Sequence, residues 1–466
     1  MSTIRIFRQY IPVSYILLAI IEISVFLFSL YLGVLSALKV QLTEIEDYFE
    51  PLAFEAAFFS ITMFFSLVAV GLYQRRLQEG YSSLLARIIL AVCLGVLLIH
   101  QLSYIFPDLD MSPRVWISIV GWAFLGIILV RFSFYRMLRA DTLKRRVLVL
   151  GEGEKATELK SALTLFNKQG LKLVGFVPLA DKLLGLGANL ILASQTDLLM
   201  MVEKSQADQI VVAIDNKHHG FPSEQLMKCK LAGIEVIDIV SFYERELGKI
   251  MINWISPSWF IYADGFQHGA FWRRAKRFSD ILVSIILILI TFPVIAMVAI
   301  SIWLESGGRG PIFYRQSRVG QYGKIFELLK FRSMQINAEQ DGKARWAQKN
   351  DNRVTRIGKW LRRTRIDELP QVINVLKGEM SFVGPRPERP EFVSELEKKI
   401  PFYQERHVLK PGITGWAQVC YPYGATEKDA LEKLQYDLYY VKNSSLFLDF
   451  VILLQTAEVI LWGKGR

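Results

Sequence analysis

Apolar residues are unevenly spread along this chain. They crowd into four runs over about 13–38, 51–73, 84–106 and 113–135, separated by short polar stretches. Each run has the roughly 20 residues that a helix needs to cross a bilayer. The flanks orient them. Arg5 and Arg8 precede the first run, and an acidic loop with Glu44, Glu46, Asp47 and Glu50 follows it. Arg75, Arg76 and Arg87 lie around the second connection, Asp108 and Asp110 in the third, and Arg136, Arg139, Lys144, Arg145 and Arg146 after the fourth run. Basic and acidic flanks alternate, so both ends of the bundle are expected on the cytoplasmic side. Glu22 stands inside the first run. A carboxylate at membrane depth is either functional or bonded to a neighbouring helix, and both readings stay open.

From Arg145 the period changes. RRVLVLGEGEKATELKSAL reads as strand, glycine turn and helix, and LKLVGFV, QIVVAI and GIEVIDI are further β-rich runs with helical stretches between them. Strands alternating with helices predict a parallel, Rossmann-like α/β domain. Residues 250–272 are aromatic and turn-rich, and read as a linker near the membrane surface. The run 280–303 is long enough to span, yet Arg273, Arg274, Lys276 and Arg277 precede it and Arg309, Arg315 and Arg318 follow. Basic residues at both ends place both ends on one side. Pro293 near the middle removes a backbone hydrogen bond and bends the helix. A re-entrant helix satisfies length, charge and kink together; a kinked span is the alternative. The segment 446–462 carries Asp449 and Glu458 and reads as an amphipathic helix on the membrane.

The whole chain of 466 residues is 52% hydrophobic with a net charge of +11, which suits a membrane protein next to anionic headgroups rather than a nucleic-acid binder. Cys93, Cys229 and Cys420 are far apart, which excludes a disulfide scaffold and a cysteine zinc site. His218-His219 read as solvated. The N-terminal MSTIRIFRQYIP does not read as a cleavable signal.

Gly151-Glu-Gly153-Glu-Lys-Ala156 sits where a dinucleotide phosphate turn would lie. Acids at 152 and 154 would face a pyrophosphate, and the next acid, Asp181, comes too late to bind a ribose. A fold of this type without cofactor is favoured. The C-terminal third is denser in chemistry. Asp367-Glu368 follow Arg362, Arg363 and Arg365 and precede Pro370, so the acids are expected at a loop-to-helix junction. A carboxylate held there could attack phosphorus, and its neighbour could hold a divalent cation; an N-capping acid beside a surface acid is the plain alternative. The context is anion recognition. Lys330 and Arg332 lie in KFRSM, and Arg315 and Arg318 in RQSRVG. Arg386 stands between Pro385 and Pro387, which hold its backbone extended for a two-pronged phosphate contact. Arg273–Arg277 read as a solvated or lipid-facing cluster.

The strings KRFSDI, PIFYRQSRVG, KFRSM, DELPQVINVLKGEMSFVGPRPE and KPGITGWAQV resemble the bacterial polyprenyl-phosphate sugar-1-phosphate transferases, and PRPERPEFV…YPYGAT looks closest to the exopolysaccharide subgroup. The resemblance covers 276–466 strongly and the rest weakly. It implies a membrane α plus α/β protein: a four-helix transmembrane bundle over 1–140, the Rossmann-like domain over 141–249, a linker over 250–275, and a mostly helical monotopic catalytic domain over 276–466 with its re-entrant helix at about 280–303. It further implies that Asp367 attacks the sugar-linked phosphate of a UDP-sugar and expels UMP, and that undecaprenyl phosphate then collects the sugar phosphate. Glu368, with Asp367, would hold Mg²⁺ or Mn²⁺. Lys330, Arg332, Arg362 and Arg386 would lie near the diphosphate. The expected location is the bacterial inner membrane, catalytic domain towards the cytoplasm, with the bilayer as partner, no nucleic acid, and a homo-oligomer left open. One departure stands out: the family often shows Ser immediately before the helix proline, where this chain has Thr291-Phe292-Pro293, and Thr291 is the candidate substitute. A non-enzymatic scaffold of polysaccharide assembly and an NAD-dependent nucleotide-sugar modifying enzyme are the competing classes; the second would need a YxxxK site, which is not found between 145 and 260.

Overall fold

The computed structural model describes residues 3–6, 8–38, 52–73, 81–106, 112–139, 144–166, 170–179, 197–215, 221–308, 310–335, 353–421, 424 and 426–461. The loop residues Glu44, Glu46, Asp47, Glu50, Arg75, Arg76, Asp108 and Asp110, with Asp181, His218, His219 and Arg309, lie outside the described residues, as does the side chain of Glu458. The chain divides into two compact units, Met1–Ile6 with Tyr10–Leu247, and Phe7–Gln9 with Gly248–Arg466.

In the first unit, helices α1 (Val13–Leu38), α2 (Ala53–Ala69), α3 (Tyr81–Ser103) and α4 (Pro113–Arg139) follow the apolar runs. α1 and α4 meet through small residues: a Cβ at Gly33 would overlap the Ile119 backbone, one at Gly126 would overlap Val25, and the Ser36 and Ser118 hydroxyls lie 2.6 Å apart. Close backbone approach replaces the hydrophobic driving force that lipid cannot supply. α2 is shorter than the 51–73 run. It has 17 residues, at the lower limit for a span. Its chain turns through Gly71 at φ 84°, and buried arginines take up the freed carbonyls. Arg87 Nη1 donates to the Val70 carbonyl (2.8 Å) and Arg131 Nη1 to that of Leu72 (2.7 Å). Arg131 also grips the fully buried Glu22 through Nη2 (2.9 Å) and Nε (2.5 Å), and the Tyr73 hydroxyl donates to the same carboxylate. Of the two readings of Glu22, the bonded one is realised. α1, α3, α4 and, in the second unit, the helix Ala270–Glu305 are the four described helices long and apolar enough to cross a membrane.

The same unit holds a four-stranded parallel sheet. Its strands are β1 (Arg145–Leu150), β2 (Leu171–Val177), β3 (Gln209–Val212) and β4 (Glu235–Asp238), in the order β2-β1-β3-β4. Helix α5 (Glu154–Phe166) follows β1 after the glycine turn, and α6 (Leu198–Ser205), α7 (Ser223–Leu231) and α8 (Ile239–Leu247) complete the domain. From Val147 in β1 and from Ile210 in β3 the strands are buried and apolar on both faces, because helices cover a parallel sheet on both sides.

The second unit begins earlier than expected. Ile250 and Ile252, placed in a linker by sequence, are buried in its main core, and Trp259, Phe260 and Phe266 pack against that core. Helix α9 (Ala270–Glu305) runs 36 residues with Pro293 inside. The carbonyl that Pro293 leaves without its amide belongs to Leu289, four residues back. Thr291 Oγ1 donates instead to Leu287 (2.6 Å), so it does not substitute for the missing serine. A hairpin of β5 (Phe313–Val319) and β6 (Ile325–Phe331) follows, then α10 (Arg356–Thr364), a 3-10 turn Ile366–Glu368, α11 (Gln371–Lys377), and β7 (Ser381–Val383) paired with β8 (Gly412–Thr414). Helices α12 (Glu427–Asn443) and α13 (Leu446–Leu461) close the unit.

Two surface assignments are corrected here. Lys276 is not lipid-facing. It is buried, and its Nζ donates to Asp449 Oδ2 (2.6 Å), the Val383 carbonyl (3.1 Å) and the Tyr440 hydroxyl (3.2 Å). Asp449 is therefore an internal partner rather than part of a membrane-lying face, and Leu448 and Ile452 of α13 sit in the core. Arg277 donates to the Val375 and Leu376 carbonyls, both at 2.6 Å, and so satisfies the open end of α11. Asp280 accepts from the Ser381 hydroxyl (2.9 Å) and the Phe382 amide (3.1 Å). At the other end of α9, Val298 and Ile302 pack with Phe331 and Leu361, with Ile366 and Leu369 against them, and the Ile357 amide donates to Glu305 (3.1 Å).

Candidate active site

Three sequence motifs meet at one oxygen. Glu368 Oε1 accepts from Lys330 Nζ and from Arg386 Nη2, both at 2.9 Å. Lys330 comes from the end of β6, Glu368 from the 3-10 turn, and Arg386 from the loop after β7. Local chemistry explains how each is aimed. α10 carries Arg362 and Arg363 in its last turn, and Arg365 adopts φ 61° as its C-terminal cap. That conformation costs a non-glycine residue about 1–2 kcal/mol. It redirects the chain at once into the turn carrying Asp367 and Glu368. Pro370 then caps α11, so the acids do stand at the junction expected from sequence.

The two carboxylates have different surroundings. Asp367 is 8% exposed, and its Oδ1 is buried without a hydrogen-bond partner. Burial pushes its carboxyl up from the ordinary aspartate range. Lys330 pulls it back, Glu368 adds to the rise, and Arg365 and Arg362 pull it down again. Burial would also raise Glu368, but Lys330 and Arg386 in direct contact outweigh it and hold that carboxyl well below the usual range. One acid is a fixed anion in a cationic grip. Its neighbour is an under-solvated oxygen facing the same cations.

Arg386 is held by more than its flanking prolines. The carbonyls of residues 385–388 are all taken: Pro385 by the Gly412 amide (2.9 Å), Arg386 by Arg406 Nη2 (3.0 Å), Pro387 by Arg318 Nη1 (2.9 Å) and Glu388 by the Val319 amide (3.0 Å). Arg318 thus braces the loop. Arg315 lies exposed on the hairpin, 3.4 Å from Glu327, and shares no contact with the acid pair. Arg332 reaches the Ile302 carbonyl at the end of α9 (3.5 Å), and its Nη1 is buried without a partner. Arg362 acts on Asp367 through its charge.

Sequence reasoning missed two supports. Buried Asn374 accepts from the Leu329 amide (3.0 Å) and donates to the Glu327 carbonyl and to Glu379, each at 2.7 Å, locking α11 to the strand that carries Lys330. Buried Arg406 pairs with Asp437 (2.7 Å) and with the Tyr403 hydroxyl (2.7 Å) behind the Arg386 loop. An asparagine in an otherwise apolar stretch was the only visible signal for the first. The second had none, because Arg406 and Asp437 stand 31 residues apart in charge-rich sequence.

Residues 271–463 match the family profile described as bacterial sugar transferase, and residues 68–219 match a profile described as CoA-binding domain. The chain is 31% identical to a UDP-glucose:undecaprenyl-phosphate glucose-1-phosphate transferase of Xanthomonas campestris pv. campestris, over 69% of this chain and 67% of that protein. It is 30% identical to an undecaprenyl-phosphate galactose phosphotransferase of Salmonella typhimurium, over 77% of each. This chain belongs to the bacterial sugar transferases. A further member of that group, a UDP-N-acetylgalactosamine-undecaprenyl-phosphate N-acetylgalactosaminephosphotransferase of Aeromonas hydrophila, is 43% identical over 52% of this chain, a match that spans 55% of the relative's length. The family profile covers the Lys330, Asp367-Glu368 and Arg386 constellation of this sugar transferase in full.

Proposed function

We propose that the protein transfers a sugar-1-phosphate from a UDP-sugar to undecaprenyl phosphate at the cytoplasmic face of a bacterial inner membrane, and that this starts an exopolysaccharide. The observation that carries the reading is the meeting of Lys330, Glu368 and Arg386 beside the partnerless Asp367 oxygen. In the first step an Asp367 carboxylate oxygen attacks the phosphorus bearing the sugar. The bond from that phosphorus to the bridging oxygen breaks, and UMP leaves with the electron pair. In the second step an oxygen of undecaprenyl phosphate attacks the same phosphorus and releases Asp367 as a carboxylate. Such transfer depends on charge neutralisation and in-line placement more than on proton transfer. Lys330, Arg362 and Arg386 supply the charge, and the braced 385–388 loop supplies the placement.

A magnesium or manganese ion fits this donor set. Mg²⁺ commonly takes one or two carboxylates, keeps several waters and binds substrate phosphates. The free Asp367 oxygen and the second oxygen of Glu368 offer that. Among the described residues no cluster of three His, Cys, Asp or Glu forms a complete protein cage. When bound, the ion would neutralise phosphate charge.

The re-entrant reading of α9 belongs to the same proposal. A straight helix from 277 to 302 would extend about 38 Å, whereas 369–376 covers about 10 Å of helix. Arg277 nevertheless binds residues 375 and 376, and Leu369 packs against the Val298–Ile302 cluster. A bend at Pro293 reconciles the two, and it keeps the site at headgroup depth, where a lipid phosphate lies.

The test is UMP release by the purified protein with Mg²⁺, lipid acceptor and a panel of UDP-glucose, UDP-galactose and UDP-N-acetylgalactosamine. Asp367→Asn should abolish release and should carry no label from a sugar-phosphate-labelled donor. Full activity in both Asp367→Asn and Glu368→Gln would discard the assigned roles.

A further inference from the structure

The parallel sheet of the first unit reverses its strand order between β1 and β3. In open α/β sheets that crevice is where a ligand phosphate settles, on the amides opening the next helix. Here the crevice contains one of the chain's own carboxylates. Asp215, three residues beyond β3, accepts from the Glu154 amide through Oδ2 (2.9 Å) and from the Lys155 amide through Oδ1 (3.3 Å). These are the first amides of α5, the donors a pyrophosphate would use. Gly153 has φ 95°, and a Cβ there would overlap the Asp215 carboxylate, so the glycine makes room for the acid. Gly151, at φ 134°, lies equally close to the Ala213 carbonyl. Lys155, the cation on the turn, is bonded to the Ile214 carbonyl (3.1 Å). Glu152 and Glu154 flank the same turn. A pyrophosphate would therefore meet the Asp215 carboxylate where it needs bare amides, with two more acids carried by the same stretch of chain.

The coenzyme that the CoA-binding profile implies does not fit these residues. We infer that Asp215 is a built-in anion filling the phosphate seat of this domain, which accordingly takes neither coenzyme A nor a dinucleotide at its glycine turn. The helix-terminal amides and the dipole are satisfied from within, as an N-cap satisfies them, and the domain stands as a pre-closed scaffold.

Hydrogen exchange on the full-length protein in detergent tests this at the turn itself. For the wild type, adding millimolar coenzyme A or NAD should leave exchange over 151–158 unchanged. In Asp215→Ala the Glu154 and Lys155 amides should exchange on the order of fivefold faster, the scale of a lost cap. Inorganic phosphate should slow them again in that variant and not in the wild type. Protection of 151–158 in the wild type by coenzyme A or NAD would overturn the inference. So would unchanged exchange in Asp215→Ala, or accelerated exchange that phosphate fails to reverse. The readout does not involve transferase activity, so it is independent of the proposed reaction.

Discussion

Replacing Arg406 by Met removes three hydrogen bonds at once: to Asp437, to the Tyr403 hydroxyl and to the Arg386 carbonyl. Two separate costs follow. Asp437 is left as a buried charge without its cation, which typically destabilises by about 3–5 kcal/mol. The loop bearing Arg386 also loses one of its four carbonyl grips. A hydrogen bond from a charged donor contributes about 1.5–3 kcal/mol, so a loop freed by that amount should lose roughly tenfold to a hundredfold in rate. The costs separate in a triple variant, Tyr403→Phe with Arg406→Met and Asp437→Leu, which replaces the polar triad by apolar groups. Stability should largely return, since such swaps are often neutral. The rate should not return, because the Arg386 carbonyl still lacks its donor. Thermal unfolding and UMP release, with kcat and KM resolved, provide the assay. A triple variant with wild-type kcat would show that Arg386 needs no such brace. An Arg406→Met protein that melts with the wild type would show that the buried pair is not structural.

In the proposed reaction Asp367 must be ionised to attack phosphorus, and burial raises that carboxyl; kcat should then fall on the acid side at a pH above the ordinary aspartate pKa of about 4. Lys330 favours the ionised form, so Lys330→Met should move this limb to higher pH, and a pH–rate profile with a lowered or unmoved limb would contradict it. Gly384→Ala places a Cβ into the Lys410 carbonyl, backbone that cannot rotate away; a loss of about 1–3 kcal/mol and of most activity is expected, measured by melting and UMP release. Within the helical bundle, Arg131→Met should destabilise by about 3–5 kcal/mol and Glu22→Leu with Arg131→Met should recover most of it, read from melting in detergent; equal melting of Arg131→Met and wild type would refute the pairing.

Elements with a strong local period were legible from sequence. The apolar runs became α1, α3 and α4 within a few residues, and the β-rich runs became a parallel sheet. The α2 end was not legible, because what stops it is Gly71 together with arginines 17 and 59 residues away in the chain. The acid pair at 367–368 was readable because proline and arginines crowd it locally. Its pairing with Lys330 and Arg386 was anticipated only as a shared neighbourhood. Lys276 was misplaced because it sits in a basic cluster whose other members look the same; only packing shows that its partner lies in the last helix. Asp215 was invisible as the occupant of the glycine turn, because nothing near it in sequence resembles a cap.

Lys276 and Asp449 are 173 residues apart, and their bond joins α9 to α13 within the second unit. In chain order Lys276 comes first, then the acid pair, then the Arg386 loop, and after all of them the carboxylate that neutralises the lysine. Removing the chain from residue 446 onward should therefore leave the Lys276 ammonium without its anion and loosen the strand Ser381–Val383 that it also holds.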